Sequence, residues 1–375
     1  MNDLTGISRE VSRITLIAHQ SLNGKIMEIF AGLGVRTLFA ENSRCVRQKV
    51  NTSFLGIPGL GMEFSDVATE IFRVTVPVAA ADAVLCRLIK ELELQIPGRG
   101  AVFAQELTEI TRMDASEISC EGVDDLRLLK DLSLITGIQS KSGSGANLFR
   151  VALKLGVGVP VVSIGIGTGI RDRLGLLRVT ISPEKELVYL MVPSHDADGL
   201  QRLLIEEGHL DRPGGGFLYQ TPIRAGIVDP LIRIGRQEHA ASIEQIIAAI
   251  DDLKKGTAWR KRFFGMESNY DSSGQPVYTH REIGFLCHEG EGDAFVHAAM
   301  QAGAEGATIA RLRAIRLAGD KKGHSVPCEY GILCVASPLE QQILAALSEV
   351  AARREDSEWV LQSQKACSVF AHKRN

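Results

Sequence analysis

The feature of this sequence that most constrains its fold is one order of secondary-structure elements that recurs three times along 375 residues. In each copy, apolar residues recur every second residue in four segments and about every 3.6 residues in two others, and these segments follow one another in a fixed order. This pattern predicts strand, helix, strand, strand, helix and strand. In the first copy the predicted strands lie at 13–19, 35–39, 68–78 and 97–107, and the predicted helices at 22–33 and 80–94.

The second and third copies repeat this order with different residues. The second has predicted strands at 131–139, 159–167, 186–193 and 211–223, and helices at 146–156 and 198–207. The third has predicted strands at 281–289, 307–317, 328–337 and 365–373, and helices at 293–306 and 338–355. Each copy is therefore long enough to form one compact domain.

A βαββαβ unit of this kind is the ferredoxin-like arrangement, an antiparallel four-stranded sheet with both helices on one face. Its other face is uncovered, and three units supply a cover if they pack around a pseudo-threefold axis with these faces inward. We therefore expect an α+β fold of three ferredoxin-like domains arranged as a pseudo-trimer. The expected divisions are domain 1 at 11–112, a linker at 113–130, domain 2 at 131–226, a helical insert and linker at 227–280, and domain 3 at 281–375.

Composition excludes several classes of protein. The formal net charge of −3 argues against a nucleic-acid-binding protein, which would carry a basic stripe. No apolar segment approaches the roughly 20 residues that cross a bilayer, and the polar start at 1–13 has no signal-peptide core. Seven cysteines at unpaired spacings indicate reduced, mostly buried thiols. We expect a cytoplasmic protein that is not embedded in a membrane.

The stretch "GIGTGIRDRLGLL" at 165–177 is rich in glycine and follows an apolar strand. A dinucleotide-binding loop requires G-x-G-x-x-G, but here the third glycine, Gly169, comes one position early. No Walker A sequence is present in the chain. A loop on the rim of a ligand site and an exposed turn with solvated arginines both remain open at this point.

This stretch, together with "LDRPGGGFLYQTPI" at 210–223, resembles the P-II nitrogen-regulatory signalling family, and more closely its divergent P-II-like branch. The resemblance is specific over 131–226. Over 13–112 it depends mainly on "PGRGAVFAQEL" at 97–107 and on the order of elements, and over 281–375 it is one of topology. The fold that the resemblance implies is three tandem P-II-like domains in one chain.

P-II-like proteins are homotrimers that bind small effectors, most often adenine nucleotides, in clefts between subunits, and a loop between the second and third strands docks onto a regulated protein. The resemblance therefore implies a monomer with three non-identical clefts and an ATP-, ADP- or AMP-type effector, with or without Mg²⁺. No covalent cofactor is expected, the residue spacings predict no metal site, and no catalytic set can be assembled from the sequence. The ligand residues that it implies are Gly165, Gly167, Thr168, Gly169, Arg171, Arg173, Arg212, Gly214, Gly215, Gly216, Arg224, Gly226 and, in the first unit, Arg99.

Several of these assignments have alternatives. Arg212 and Arg224 match the family pattern only approximately in position, and Gly214 to Gly216 could form an ordinary turn with positive φ. The third unit has "SQKACSVF" at 363–370 in place of the glycine motif, which puts its cleft in doubt. The cluster "CHEGEGDAFVH" at 287–297 matches no standard zinc spacing, and Asp293 is better explained by the first turn of a helix.

The loop "ENSRCVRQKVNTSFLGIPGLGMEF" at 41–64 would expose four large apolar side chains unless a partner covers them: Phe54, Leu55, Ile57 and Leu60. We expect it to be a partner-docking loop. The sequence as a whole favours a regulatory protein that binds a small anionic effector and controls another protein, an enzyme, transporter or regulator. An enzyme acting on a nucleotide or phosphometabolite in the same cleft, and a ligand-free scaffold, remain as alternatives.

Overall fold

The computed structural model of the chain describes most of the predicted elements. It covers residues 6–49, 63–96, 98–113, 116, 118, 126, 128–140, 148, 152–153, 158–169, 184–208, 210, 216–228, 277–317, 323–354 and 358–371. Everything said below about the structure concerns these residues. Among them, no helix is long and apolar enough to cross a membrane.

The described residues form a mixed α+β fold, as the sequence predicts. The strands are β1 Ile7–His19, β2 Thr37–Lys49, β3 Glu63–Pro77, β4 Gly100–Thr111, β5 Leu132–Ser140, β6 Val161–Gly169, β7 Glu184–Pro193, β8 Phe217–Ile223, β9 Ala225–Ile227, β10 His280–His288, β11 Gly306–Arg316, β12 Ser325–Ala336 and β13 Val360–Ala371. The helices are α1 Asn23–Gly32, α2 Ala81–Leu92, α3 Ser194–Glu207, α4 Gly292–Gln301 and α5 Glu340–Ala352.

Helix α2 shows how the sequence specifies these elements. Its buried apolar side chains recur at helical spacing, with Leu85, Leu88 and Leu92 on the side that faces the sheet. Asp82 in its first turn and Lys90 in its last turn both match the helix dipole. Gly34, which follows α1, has the left-handed φ of 81° that the sequence predicts for a helix stop.

The boundaries predicted for the hairpin of the second and third strands are wrong. The sequence places a loop from residue 41, whereas β2 continues to Lys49 and β3 begins at Glu63. Polar cross-strand pairs extend this hairpin: the Ser43 and Thr69 hydroxyls are 2.9 Å apart, and Arg44 donates to Asp66 at 2.8 Å. Such polar pairs stabilise the pairing of two strands without apolar side chains. A prediction based on alternating apolar residues therefore does not detect this part of the hairpin.

The strands fall into three groups of four with one shared order. We call β1–β4 the first group, β5–β8 the second group and β10–β13 the third group. The orders are β2-β3-β1-β4, β6-β7-β5-β8 and β11-β12-β10-β13, and every neighbouring pair is antiparallel. In each group, therefore, the first and third strands occupy the middle and the second and fourth strands the edges.

The edges of the groups pair with one another. The second strands β2, β6 and β11 pair in all three combinations, each along a different part of its length. The fourth strand β13 pairs with both β4 and β8, and β9, directly after β8, pairs with the other part of β4. All described groups therefore belong to one continuous sheet of 13 strands.

Buried apolar side chains form four clusters. Three of them lie between one group of strands and the helices that connect its strands. Each contains a helix leucine, which is Leu88 of α2 in the first, Leu204 of α3 in the second and Leu347 of α5 in the third. The fourth cluster contains side chains from the opposite sheet faces of all three groups, among them Ile17, Leu134 and Leu286. Because successive strand residues point to opposite faces, each sheet contributes to both kinds of core.

Candidate functional site

The first candidate site is a cleft between the first and second groups, which we call the Arg99 cleft. Its cavity volume is about 30 Å³. The first group lines it with Ile17, His19, Cys45, Thr69, Arg99, Gly100 and Ala101, the second group with Leu134, Val159, Val161, Tyr189 and Met191, and Val228 completes it after β9. Apolar walls with a few polar groups are typical of small-molecule sites.

Arg99 supplies the cation of this cleft. Its guanidinium pairs with Glu93 at 2.8 Å, and its side chain is 36% exposed. Arg99 lies between Gly98, with φ of 87°, and Gly100, with φ of 142°. A Cβ at Gly100 would clash with the carbonyl oxygen of Ile17, so this turn requires glycine to approach β1. The turn thus holds the guanidinium at the cleft, where it could bind an anionic group.

His19 is the second polar group of the cleft. It ends β1, and its Nδ1 accepts a hydrogen bond from the backbone N–H of Ser21 at 3.1 Å. The same nitrogen lies 2.8 Å from the Ser21 hydroxyl. These contacts fix the ring orientation at the end of the strand. Its Nε2 forms no hydrogen bond to protein among the residues that the structure describes, so it could bond to a ligand.

Charged and polar side chains are also buried between the three groups, and we call them the interior network. Arg13 donates to Glu282 at 3.1 Å, to Gln105 at 2.9 Å and to the Tyr330 hydroxyl at 2.9 Å. Glu282 in turn accepts hydrogen bonds from Tyr219 at 2.8 Å and from Gln364 at 2.6 Å. The Arg13–Glu282 ion pair is therefore embedded in hydrogen bonds that come from all three groups.

Arg73 forms the second ion pair of the interior network. It donates to Glu41 at 2.5 Å, and its guanidinium lies 5.7 Å from the ring centre of Tyr189 and 5.2 Å from that of Tyr330. Burial raises the pKa of both tyrosines, so both phenols are neutral at physiological pH. Burial opposes the charge on Arg13, but Tyr330 and Glu282 outweigh it and the pKa of Arg13 is raised.

The interior network is asymmetric between groups. In each first strand one residue pairs with the last residue of the third strand: Val11 with Pro77, Leu132 with Pro193, and His280 with Ala336. Two residues further on, at corresponding inward-facing positions, stand Arg13, Leu134 and Glu282. The three groups thus place a cation, an apolar side chain and an anion at one structural position.

The sequence predicts that the second strand ends at Gly167 and runs into a ligand-rimming loop, whereas β6 continues to Gly169. Gly165, Gly167, Thr168 and Gly169 lie in β6, which pairs with β7 on one side and β11 on the other. A Cβ at Gly165 would lie 2.8 Å from Leu187 and Thr308 side-chain atoms, so the glycine permits close packing at this junction. The spacing of two between glycines, a strand period, was the signal that indicated this.

Arg224 and Gly226 lie on a segment that joins the second group to the first. Arg224 donates to Asp82 of α2 at 2.9 Å and pairs with Glu106 of β4 at 3.1 Å. A Cβ at Gly226 would lie 2.6 Å from the carbonyl oxygen of Val102, because β9 runs close to β4. Both residues therefore hold the two groups together, and their role in ligand binding stays a prediction.

Of the remaining predicted ligand residues, the structure describes Gly216 alone, and it does not line the Arg99 cleft. Gly216 precedes β8 with φ of 135°. Arg171, Arg173, Arg212, Gly214 and Gly215 lie outside the described residues, as do Phe54, Leu55, Ile57 and Leu60 of the predicted docking loop. Asp293 lies in the first turn of α4, as predicted. No group of three or more metal-ligating side chains occurs among the residues described.

Sequence analysis missed most of the cleft. Tyr189 and Met191 belong to a strand that is apolar on both faces, so the sequence does not indicate which side chains meet another group. Arg99 is the one predicted ligand residue that lines the cleft in the described structure. The signal that found it was its place between Gly98 and Gly100 at the start of the predicted strand 97–107, which is equivalent to the glycine motif of the second copy.

Comparisons with known proteins give a weak structural likeness. No protein-family model matches the chain, and no curated protein matches it. Among solved structures, a chain from the B. subtilis GlnK–ATP complex is similar, with 18% sequence identity and a TM-score of 0.22. The match covers 26% of the present chain and 84% of the GlnK chain.

Proposed function

We propose that this chain is a regulatory protein that binds a small anionic effector, an adenine nucleotide, in the Arg99 cleft. The observation that carries the proposal is that the cleft joins apolar walls from two groups to one arginine, Arg99, at the turn between Gly98 and Gly100. The guanidinium suits a phosphate at the mouth of the cleft. The cavity of about 30 Å³ is far below the roughly 300–1,000 Å³ of small-molecule sites, so a base would enter between the apolar walls only if the first and second groups move apart on binding. Because residues of both the first and the second group line the cleft, its shape depends on how these two groups pack together.

The proposed architecture is a pseudo-trimer of three P-II-like domains, divided at the boundaries that the sequence predicts. It is supported by the shared strand order of the three groups and by the pairing of all second strands with one another. The central apolar cluster, which draws on all three groups, is what inward-facing sheets would bury. On this proposal one chain contains three inter-domain clefts, and the Arg99 cleft is one of them.

Control of a partner protein is the second part of the proposal. Effector binding would favour one arrangement of the segments after β2 and β6, and so change the affinity for the partner. Arg44 of β2 pairs with Glu186 of β7 at 2.9 Å, which ties the base of the first of these segments to the second group. The regulated protein would be an enzyme, transporter or regulator in the cytoplasm.

Effector binding is tested by isothermal titration calorimetry and thermal unfolding of the full chain with ATP, ADP, AMP, cyclic AMP and 2-oxoglutarate, with and without Mg²⁺. A ligand at 100 times its Kd adds about 2.7 kcal/mol of stability. We expect Arg99→Ala to weaken binding of the nucleotide at least tenfold. Ala101→Leu should also weaken it, because Ala101 is buried in the cleft wall and the larger side chain would fill the cavity.

Arg87→Ala is the matched control. Arg87 is a surface arginine in α2 that pairs with Glu91 at 2.7 Å, as Arg99 pairs with Glu93, but it does not line the cleft. It should leave nucleotide affinity unchanged. If none of the compounds binds, the ligand-free scaffold becomes the better proposal. If a nucleotide is consumed during the titration, the enzyme alternative takes its place.

A further inference from the structure

A second cavity, which we call the central cavity, lies behind the Arg99 cleft. Its volume is about 20 Å³, and its wall contains members of all three groups, including Arg13, Arg73, Thr136, Tyr189 and Glu282. Ile17, Leu134 and Tyr189 line both cavities. The central cavity is thus separate from the proposed effector site but adjoins it.

Three polar atoms in this wall form no hydrogen bond to protein among the described residues. They are Arg13 Nε, Thr136 Oγ1 and the Tyr189 hydroxyl. The exposed fractions of these residues are 5%, 1% and 8%. A buried polar group without a partner is costly, and buried polar groups in folded proteins are almost always paired.

The register of the strands places these atoms on one side of the sheet. Thr136 of β5 stands directly opposite Tyr189 of β7, so their side chains are neighbours on the same face. Arg13 approaches from β1 of the first group and lines the same cavity. Its two terminal nitrogens donate to other side chains, whereas Nε forms no hydrogen bond to protein among the described residues.

The charges of the wall favour a neutral guest. Arg13 pairs with Glu282 and Arg73 pairs with Glu41, so each guanidinium already has a carboxylate. The unpaired atoms offer an N–H donor and two hydroxyls, which can each donate or accept. A volume of about 20 Å³ exceeds the roughly 10–15 Å³ that one buried water needs.

We propose that the central cavity binds one water molecule, which accepts a hydrogen bond from Arg13 Nε and bonds to the hydroxyls of Thr136 and Tyr189. Three partners is the usual number for a buried water. This water links the first group to the second at their inner faces. The proposal does not depend on the proposed effector, because it concerns the chain without any ligand.

Oxygen-17 magnetic relaxation dispersion on the full chain tests this, because it counts water molecules that stay bound longer than the protein tumbles. Thr136→Val combined with Tyr189→Phe removes both hydroxyls and nearly preserves side-chain volume. We expect the double variant to lose one long-lived water relative to the unaltered chain. Tyr278→Phe is the control, since Tyr278 does not line the central cavity, and its count should not change.

An unchanged water count in the folded double variant would overturn the proposal. If that variant does not fold, a high-resolution crystal structure of the unaltered chain decides: a water within hydrogen-bond distance of Arg13 Nε supports the proposal, and a cavity without one refutes it. Thermal unfolding gives a second readout for folded variants. Both hydroxyls bind the same water, so their effects on stability are coupled. The decreases in Tm of Thr136→Val and Tyr189→Phe should therefore add up to more than the decrease of the double variant.

Discussion

Arg13 of β1 and Glu282 of β10 form an ion pair at 3.1 Å in which both side chains are only 6% exposed. The pair joins the first and third groups inside the protein. In the second group Leu134 takes the corresponding position. A symmetric assembly of identical subunits could not place opposite charges and an apolar side chain at one position, whereas a single chain with three different units can.

Removing one member of this pair should be strongly destabilising. We expect Arg13→Leu to lower the free energy of unfolding by about 3–5 kcal/mol, because Glu282 would keep a buried charge without its partner. Urea unfolding at pH 7 measures the change. The double variant Arg13→Leu/Glu282→Leu should lose less free energy of unfolding than the two single variants lose in sum. An apolar side chain, Leu134, already occupies the corresponding position in the second group. Strict additivity would contradict a direct coupling between the two residues.

The junction of β6 with β11 should be sensitive to side-chain size. Gly165→Val should lower the free energy of unfolding by about 1–3 kcal/mol, because its Cβ alone would overlap Leu187 and Thr308 side-chain atoms. Gly24→Ala is the control: a Cβ at this position in α1 meets nothing within 4 Å. Alanine there should raise stability by up to about 1 kcal/mol through its helix propensity. Equal effects of the two changes would argue against the tight junction.

Alkaline pH should destabilise the chain through its buried thiols. Burial raises the pKa of Cys367 from 9.0 to about 11 and that of Cys328 from 9.0 to about 12. Because the folded pKa is the higher one, the stabilising contribution is complete below pH 9 and is lost as the pH rises through the folded values. At pH 10.5 we expect a loss of about 2 kcal/mol for Cys367. Urea midpoints between pH 8 and 10.5 measure it, and Cys367→Ala should give a shallower slope than the unaltered chain.

Arg224 should contribute to packing more than to ligand binding. All three of its guanidinium nitrogens contact Asp82 or Glu106, and the side chain is 29% exposed. We expect Arg224→Ala to lower stability by about 1 kcal/mol or less, since the pairs are partly exposed. Its nucleotide affinity, measured by calorimetry, should stay close to that of the unaltered chain and far above that of Arg99→Ala. A loss equal to that of Arg99→Ala would instead make Arg224 an effector ligand, as the sequence resemblance implies.

The chain should be a monomer in solution. The outer strands of each described group already pair with strands of the other groups, so these edges are not available to a second chain. Light scattering coupled to size-exclusion chromatography should give the mass of one chain at micromolar concentrations. A mass of two or three chains would show that an interface outside these edges drives association.

Sequence periodicity predicted the kinds of element well. The α2 segment, with leucines at helical spacing and an acidic first turn, forms the helix that the pattern indicates. It failed where polar pairs extend a strand, as at Ser43 in β2, and where a glycine continues one, as at Gly169 in β6. In both places the residues contact a neighbouring strand that is distant in sequence, and local pattern does not carry that information.

The amino-acid sequence by itself determined the elements, because each depends on the spacing of apolar residues and on local stops such as Gly34. Only the tertiary structure decided which side chains meet. Arg13 and Glu282 are 269 positions apart, and the hydrogen bond between them exists because the inner faces of the first and third groups meet. The same holds for the cleft, where Arg99 reaches the walls that Leu134 and Tyr189 provide. Contacts of this kind depend on how whole sheets pack, and that is a property of surfaces rather than of any short stretch of chain.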